Sequence, residues 1–133
     1  MKEALTTYLL GQSALTDLVG TRVHWTRLPE GETARPFVLL REVVATEPYH
    51  LEGPTGLTRA RLQVDVYADL VLGATEVARI IDGLLGGYVG TVGGVAFDHI
   101  MKISMRDGAA EEMDGAGILS RVIVEFYCVW KET

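Results

Sequence analysis

The chain has a single cysteine, Cys128, so no internal disulfide can form and the protein suits a reducing compartment. Its three histidines, His24, His50 and His99, lie far apart. None has a second histidine, cysteine or carboxylate at a metal-ligand spacing, so no metal site is expected. No apolar run reaches the roughly 18–20 residues needed to cross a bilayer. The amino-terminal stretch MKEALTTYLLGQSAL carries one lysine and a broken apolar run, which reads as an amphipathic helix rather than a signal peptide. Synthesis in the cytoplasm and no membrane partner are the expectation. Basic residues are also scarce: twelve Lys and Arg, scattered, against eighteen Asp and Glu, for a formal net charge of −6. That balance excludes nonspecific nucleic-acid binding, which needs clustered cations to neutralise phosphates. No Gly-x-Ser-x-Gly elbow is present and no Ser/His/Asp set can be assembled, so catalysis has no positive support and no cofactor is expected.

What is present is enough for one domain spanning residues 1–133. A chain of 133 residues, 48% hydrophobic and 23% charged, buries on the order of two-thirds of its unfolded surface and needs no staple to fold. Its most informative segment is Gly53–Ala68, GPTGLTRARLQVDVYA. After a Gly/Pro turn, Thr58, Ala60, Leu62, Val64 and Val66 point one way, and Arg59, Arg61, Gln63, Asp65 and Tyr67 the other. A slip of one residue would exchange the faces, so the pattern fixes the register. One face can pack on a core. The other offers charge and hydrogen bonds without a catalytic constellation, which suits contact with something large.

Around this strand the pattern predicts a first helix from Lys2, broken near Gly11 and ended by Gly20, a short strand at Val23–Trp25, and a loop at Arg27–Pro36. Phe37–Thr46 is the first long strand. It is joined to Leu57–Ala68 by a connection at Glu47–Gly56, longer than the roughly two to five residues usual for a hairpin. Asp69 is a candidate cap for a second helix whose apolar stripe is Leu72, Val77, Ile80, Ile81, Leu84 and Leu85, ended by Gly86–Gly87. Val95–Arg106 is a weakly alternating strand, with Met101, Ile103 and Met105 on one face. Asp107–Gly117 is an acidic loop, and Ile118–Trp130 is the last strand. The expected fold is α+β: a four-stranded, mainly antiparallel sheet with two helices packed on one face, in the order α-β-β-α-β-β.

Three further features invite a chemical reading. The run from Gly86 to Gly94 is glycine-rich, but it closes a helix and precedes a strand, the reverse of a phosphate loop, and reads as a helix stop and turn. Glu111, Glu112 and Asp114 form an acidic cluster without EF-hand spacing, so they read as a solvated loop. Cys128 lies on the apolar face of its strand, as a small buried hydrophobe does. Asp65 would form an ion pair either with Arg59 or Arg61 of a neighbouring subunit or at the exposed surface of the monomer.

Three stretches carry a family likeness: LTDLVGTRVHWTRLP at Leu15–Pro29, leading to PFVLL at Pro36–Leu40; YHLEGPTGLTRARLQVDVYA at Tyr49–Ala68; and Glu111–Trp130, ending FYCVW. In this order and spacing the chain resembles the tail completion, or tail terminator, proteins of long-tailed bacteriophages and gene transfer agents. The resemblance implies a small sheet packed by two helices and assembled as a ring, usually a hexamer. Such a ring caps the completed tail tube and joins it to the head connector. It implies a binding role with no reaction. The implied partners are further copies of the chain, the major tail tube protein and a head–tail connector or stopper protein, with DNA only as cargo passing the lumen. Assembly in the host cytoplasm and residence in the particle tail follow. The glycine-rich connector is richer in glycine than the family pattern implies.

Ring subunits joined head to tail show two different surfaces. The candidates for one are the loop residues Tyr49, His50, Leu51 and Glu52 and the strand residues Arg59, Arg61, Gln63 and Asp65, since aromatic anchors commonly dominate interface energy. The competing readings are a small α+β ligand-binding or enzymatic domain with a site near residues 86–94, and an adaptor that dimerises through an open sheet edge. If the loop carries the ring contact, deleting residues 49–52 lowers the oligomer mass seen by native mass spectrometry; an unchanged mass removes the loop from that contact.

Overall fold

Strand alternation sets the centre of the molecule, and short segments with no readable period complete its margins. The structure is a computed structural model that describes residues 1–47, 49–50, 53–54, 56–113 and 117–132. Helices α1 (Lys2–Leu10) and α2 (Ser13–Val19) lead into strands β1 (Val23–Trp25) and β2 (Phe37–Thr46). A small ribbon, β3 (Tyr49–His50) and β4 (Gly53–Pro54), precedes β5 (Leu57–Ala68). Helix α3 (Val71–Leu85) is followed by β6 (Gly90–Val92), β7 (Val95–Asp107), β8 (Glu111–Met113) and β9 (Gly117–Glu132).

The long strands fall where alternation puts them, but the four-stranded sheet with two helices is corrected. The described residues form three helices and a seven-stranded sheet in the order β1-β2-β5-β9-β7-β6, with β8 on β9 and the ribbon β3–β4 apart. All long-strand neighbours are antiparallel, while β1 joins β2 in parallel. The extra strands are two or three residues long, too short to display a period of two. The first helical region is two helices because the chain leaves helical geometry at Gln12 (φ −101°, ψ 107°). Gly11 closes α1 by donating its amide to Thr7 and Tyr8. The expected cap at Asp69 is also corrected: Leu70 precedes α3 without a side-chain cap, and the Asp69 carboxylate instead accepts a hydrogen bond from Arg35.

The three helices lie on one face of the sheet. Ala60, Leu62, Val64, Val66 and Ala68 of β5 and Val122, Val124, Phe126, Cys128 and Trp130 of β9 meet Val77, Ile81 and Leu85 of α3, Leu5 and Leu9 of α1, and Leu15 and Val19 of α2 in one core. Helix α1 touches β1 and β6, the two margins of the sheet, so the sheet curls around it. Each large apolar side chain sealed here contributes about 1.5–3 kcal/mol. Cys128 belongs to this core; burial, and then the nearby Glu42, push its thiol up to about 12, so it is not a nucleophile at neutral pH.

Two sequence assignments shift with β-bulges. Bulges between Phe97 and His99 and between Lys102 and Ser104 reset the alternation of β7. Met101, Ser104 and Arg106 therefore pair with Tyr127, Glu125 and Ile123 of β9's helix-free face, while Lys102 and Met105 pair with Phe126 and Val124 of its core face. The glycine-rich connector is a hairpin: Gly93 (φ 53°) and Gly94 (φ 80°) turn β6 onto β7, both in the left-handed region that a two-residue turn of this kind requires. Phe126 is fully buried on the central strand β9. Phe126→Ala is expected to lower the unfolding free energy in urea titration by about 3–5 kcal/mol; a loss below about 1 kcal/mol would show that the core collapses into the space.

Candidate functional site

The face of the sheet without helices carries a connected set of charged side chains. Its strands bring it together in rows, since residues of neighbouring strands at the same level share a face. Leu39, Asp65, Ile123 and Arg106 form one row; Arg41, Gln63, Glu125 and Ser104 the next; Val44, Arg61, Tyr127 and Met101 a third. At one end Phe37, Leu39, Tyr67 and Leu119 make a second small apolar cluster, on which Leu28 of the loop before β2 packs. Phe37 and Tyr67 stack there with ring centroids 4.9 Å apart.

Beyond this cluster, among the described residues, Asp65 and Glu125 are buried without a covering helix. Asp65 is 0% exposed. It accepts hydrogen bonds from Arg121 at 2.8 Å and Gln63 at 2.9 Å, and Arg41 lies 3.9 Å away. Glu125 is nearly as enclosed; Arg106 donates to one of its oxygens at 2.9 Å and Arg61 to the other. The arginines are the cover. Arg41, Arg61 and Arg106 keep about half of their side-chain surface in solvent while their charged ends lie over the carboxylates. Tyr67 donates its hydroxyl to Glu111 at 2.7 Å, and burial followed by that bond raises its pKa.

This arrangement is a two-tier polar layer: carboxylates beneath, guanidinium groups above. A buried carboxylate is tolerable only when paired, and removing one partner of such a pair typically costs about 3–5 kcal/mol. Arg41, Arg59, Arg61, Arg106 and Arg121 outnumber Asp65, Glu111 and Glu125, so this face is positive on a chain of formal net charge −6. Guanidinium forks half in solvent suit carboxylate or phosphate groups of a partner.

The structure separates the sequence candidates. Arg59, Arg61, Gln63 and Asp65 share the charged face. Arg59 is exposed, pairing in register with Thr46 and Val129. Asp65 is held inside its own chain by Arg121, so it is neither an exposed monomer pair nor free for a neighbour's Arg59 or Arg61. Tyr49 and His50 form β3 and pair with Pro54 and Gly53, so part of the expected loop is a ribbon. Leu51 and Glu52 lie outside the described residues, as does Asp114 of the acidic cluster. Among the described residues no three metal-ligating side chains gather, and no helix is long and apolar enough to cross a membrane. Arg41, Arg106, Arg121 and Glu125 complete the layer and were not singled out by sequence. Arg121 and Glu125 could have been, because they alternate on the polar face of the last strand.

With this geometry in place, comparison with known proteins decides the family. A model of the family described as Tail completion protein gp17 matches residues 3–126. The chain belongs to this tail completion family. It is thus a structural protein of phage-type tails. No curated protein sequence matches it significantly. Among solved structures, a chain from the "Virion of native gene transfer agent (GTA) particle" matches with a TM-score of 0.76 and 18% identity, over 98% of this chain and 94% of that one. A second solved chain matches with a TM-score of 0.59 and 17% identity, over 99% of this chain and 92% of that one. At these identities the likeness is one of fold.

In this tail completion protein the charged layer makes stability depend on acid. Hydrogen bonds from Arg106, and then from Arg61, outweigh burial and lower the pKa of Glu125 from its ordinary 4.5. A lowered native pKa adds stability above the unfolded value that is lost as pH falls through the native one. The stability difference between wild type and Glu125→Gln, measured by urea titration, is therefore expected to be largest at neutral pH and to shrink below pH 4.5. A difference that does not change with pH would remove Glu125 from the titrating pair.

Proposed function

We propose that this tail completion protein forms a ring, a hexamer as the family resemblance implies, that caps the completed tail tube and joins it to the head connector. Its partners are further copies of itself, the major tail tube protein and a connector or stopper protein; DNA passes the lumen as cargo. It assembles in the host cytoplasm and ends in the particle tail. The observation that carries this reading is the family match over residues 3–126, supported by a fold shared over almost the whole chain with a protein of a gene transfer agent virion.

The chemistry of the charged face suits such a role. A docking surface of this kind must be rigid before its partner arrives, because ordering side chains on contact costs about 0.5–1.5 kcal/mol for each long one. Asp65 and Glu125 hold Arg121, Arg61 and Arg106 in place in advance. Arg59, Arg61 and Gln63 then present positions to a neighbour directly, and Asp65 acts through the arginine above it. The connection between β2 and β5, which contains Tyr49, His50, Leu51 and Glu52, supplies a further contact with an adjoining protein, since aromatic anchors commonly dominate interface energy.

Electron microscopy of negatively stained protein, alone and mixed with assembled tail tubes, tests the reading. Rings with a central hole, or caps on tube ends, are expected. Compact particles that leave tube ends bare would sink it, and a ligand-dependent melting shift in such particles would turn attention to the connector at residues 86–94 instead.

A further inference from the structure

Among the described residues the seven-stranded sheet does not close, and its two outer long strands are each only partly covered. On β2, β1 pairs with Val38–Leu40 and Thr26 bonds to Leu40. On β7, β6 pairs with Val95–Phe97 and the amide of Gly87 bonds to Ile100. Among the described residues, Arg41–Thr46 of β2 and Met101–Asp107 of β7 have no strand on their outer side. Each open segment offers a row of backbone donors and acceptors, a template for another strand.

These two edges match one another in level, polarity and chemistry. Through the sheet rows, Arg41 lies level with Ser104, Glu42 with Lys102, and Val44 with Met101. β2 and β7 run in opposite directions, because three antiparallel steps separate them. A second copy in the same orientation would therefore set its β2 antiparallel to β7 of the first. Exposed apolar side chains gather on the same two segments: Val43 at 53% and Val44 at 55% on one, Met101 at 53% and Ile103 at 48% on the other. Without stagger between copies, Glu42 of one would face Lys102 of the next, an opposite-charge pair across strands that Lys102 would share with Asp82 of its own chain, to which it donates at 2.9 Å.

We propose that copies of this chain join head to tail by pairing the open edge of β2, Arg41–Thr46, with the open edge of β7, Met101–Asp107, so that one sheet continues from subunit to subunit. The contact uses two different surfaces, so it propagates until rotation closes it. It leaves the arginine layer free on one side of the continued sheet and the helices on the other. The inference rests on the reading that the protein assembles with itself, and it names the surfaces that do so.

Engineered cysteines test it, since the native Cys128 is buried. Val44→Cys is combined in turn with Met101→Cys, Ile103→Cys and Met105→Cys, which covers neighbouring registers. Each double and single variant is oxidised, run on a non-reducing gel and imaged by negative stain. A disulfide forms only where Cα atoms come within about 4.4–6.8 Å. The expected result is loss of the monomer band to a ladder of covalent multimers in at least one double variant, with every single variant remaining monomeric. A dimer band from a single variant would mean edge pairing between like edges and would overturn the head-to-tail contact. Rings without any ladder would overturn the edge contact while leaving the ring. A ladder of open chains without rings would uphold the edge contact and count against the ring. Neither ladder nor rings would overturn both.

Discussion

The pairing of β5 with β9 is the constraint on which the rest of the structure depends. It runs antiparallel from Leu57 opposite Lys131 to Ala68 opposite Ser120 without a register shift. Because side chains alternate along both strands, this one register decides two faces at once. It places Leu62 beside Phe126 and Val64 beside Val124 for the helices to cover, and Gln63 beside Glu125 and Asp65 beside Ile123 on the other side. Any slip would drive Asp65 into the apolar core and expose the valines, so hydrophobic burial and charge pairing enforce the same alignment.

Irregularity is confined to the pairs outside this centre. The β2–β5 pairing shifts between Glu42 and Val44, and the β7–β9 pairing shifts twice. Bulges bend and twist a strand and spoil its edge as a template for uncontrolled aggregation. Here they sit beside Val43, Val44 and Ile103, the exposed apolar residues of the open edges. An edge kept both apolar and irregular suits selective pairing better than indiscriminate stacking. In the proposed assembly the open edges join copies laterally and the rigid charged layer is left for docking.

Much of this was legible in the sequence, for particular reasons. β2 and β5 begin and end where their patterns do, and α3 ends at Gly86, because each is long enough to show a period and to meet a stop signal. β1 was legible only as a short strand at Val23–Trp25, and its parallel pairing was not, since three residues carry no information about direction. β6 was hidden inside a glycine run whose left-handed pair, Gly93 and Gly94, makes a turn rather than a ligand loop. The faces of β7 were misread because a bulge leaves no mark on a period-of-two reading: Ser104 and Arg106 share the side of Met101 after all. On the candidate site, Arg61, Gln63 and Asp65 were visible as one face, but Arg106 and Arg121 came from strands forty and more positions away along the chain.

By itself the sequence determined the polar and apolar faces of the long strands, the absence of a disulfide, and a family likeness carried by motif order. Those are local properties, set by the period of side chains and by chain stops. Only the tertiary structure decided that Asp65 is buried under Arg121, that the face is a layered ion-pair network, and that, among the described residues, two strand edges remain open at the same level. These depend on which strands become neighbours and where bulges shift their register. Contacts of that kind link residues distant along the chain, and no local pattern encodes them.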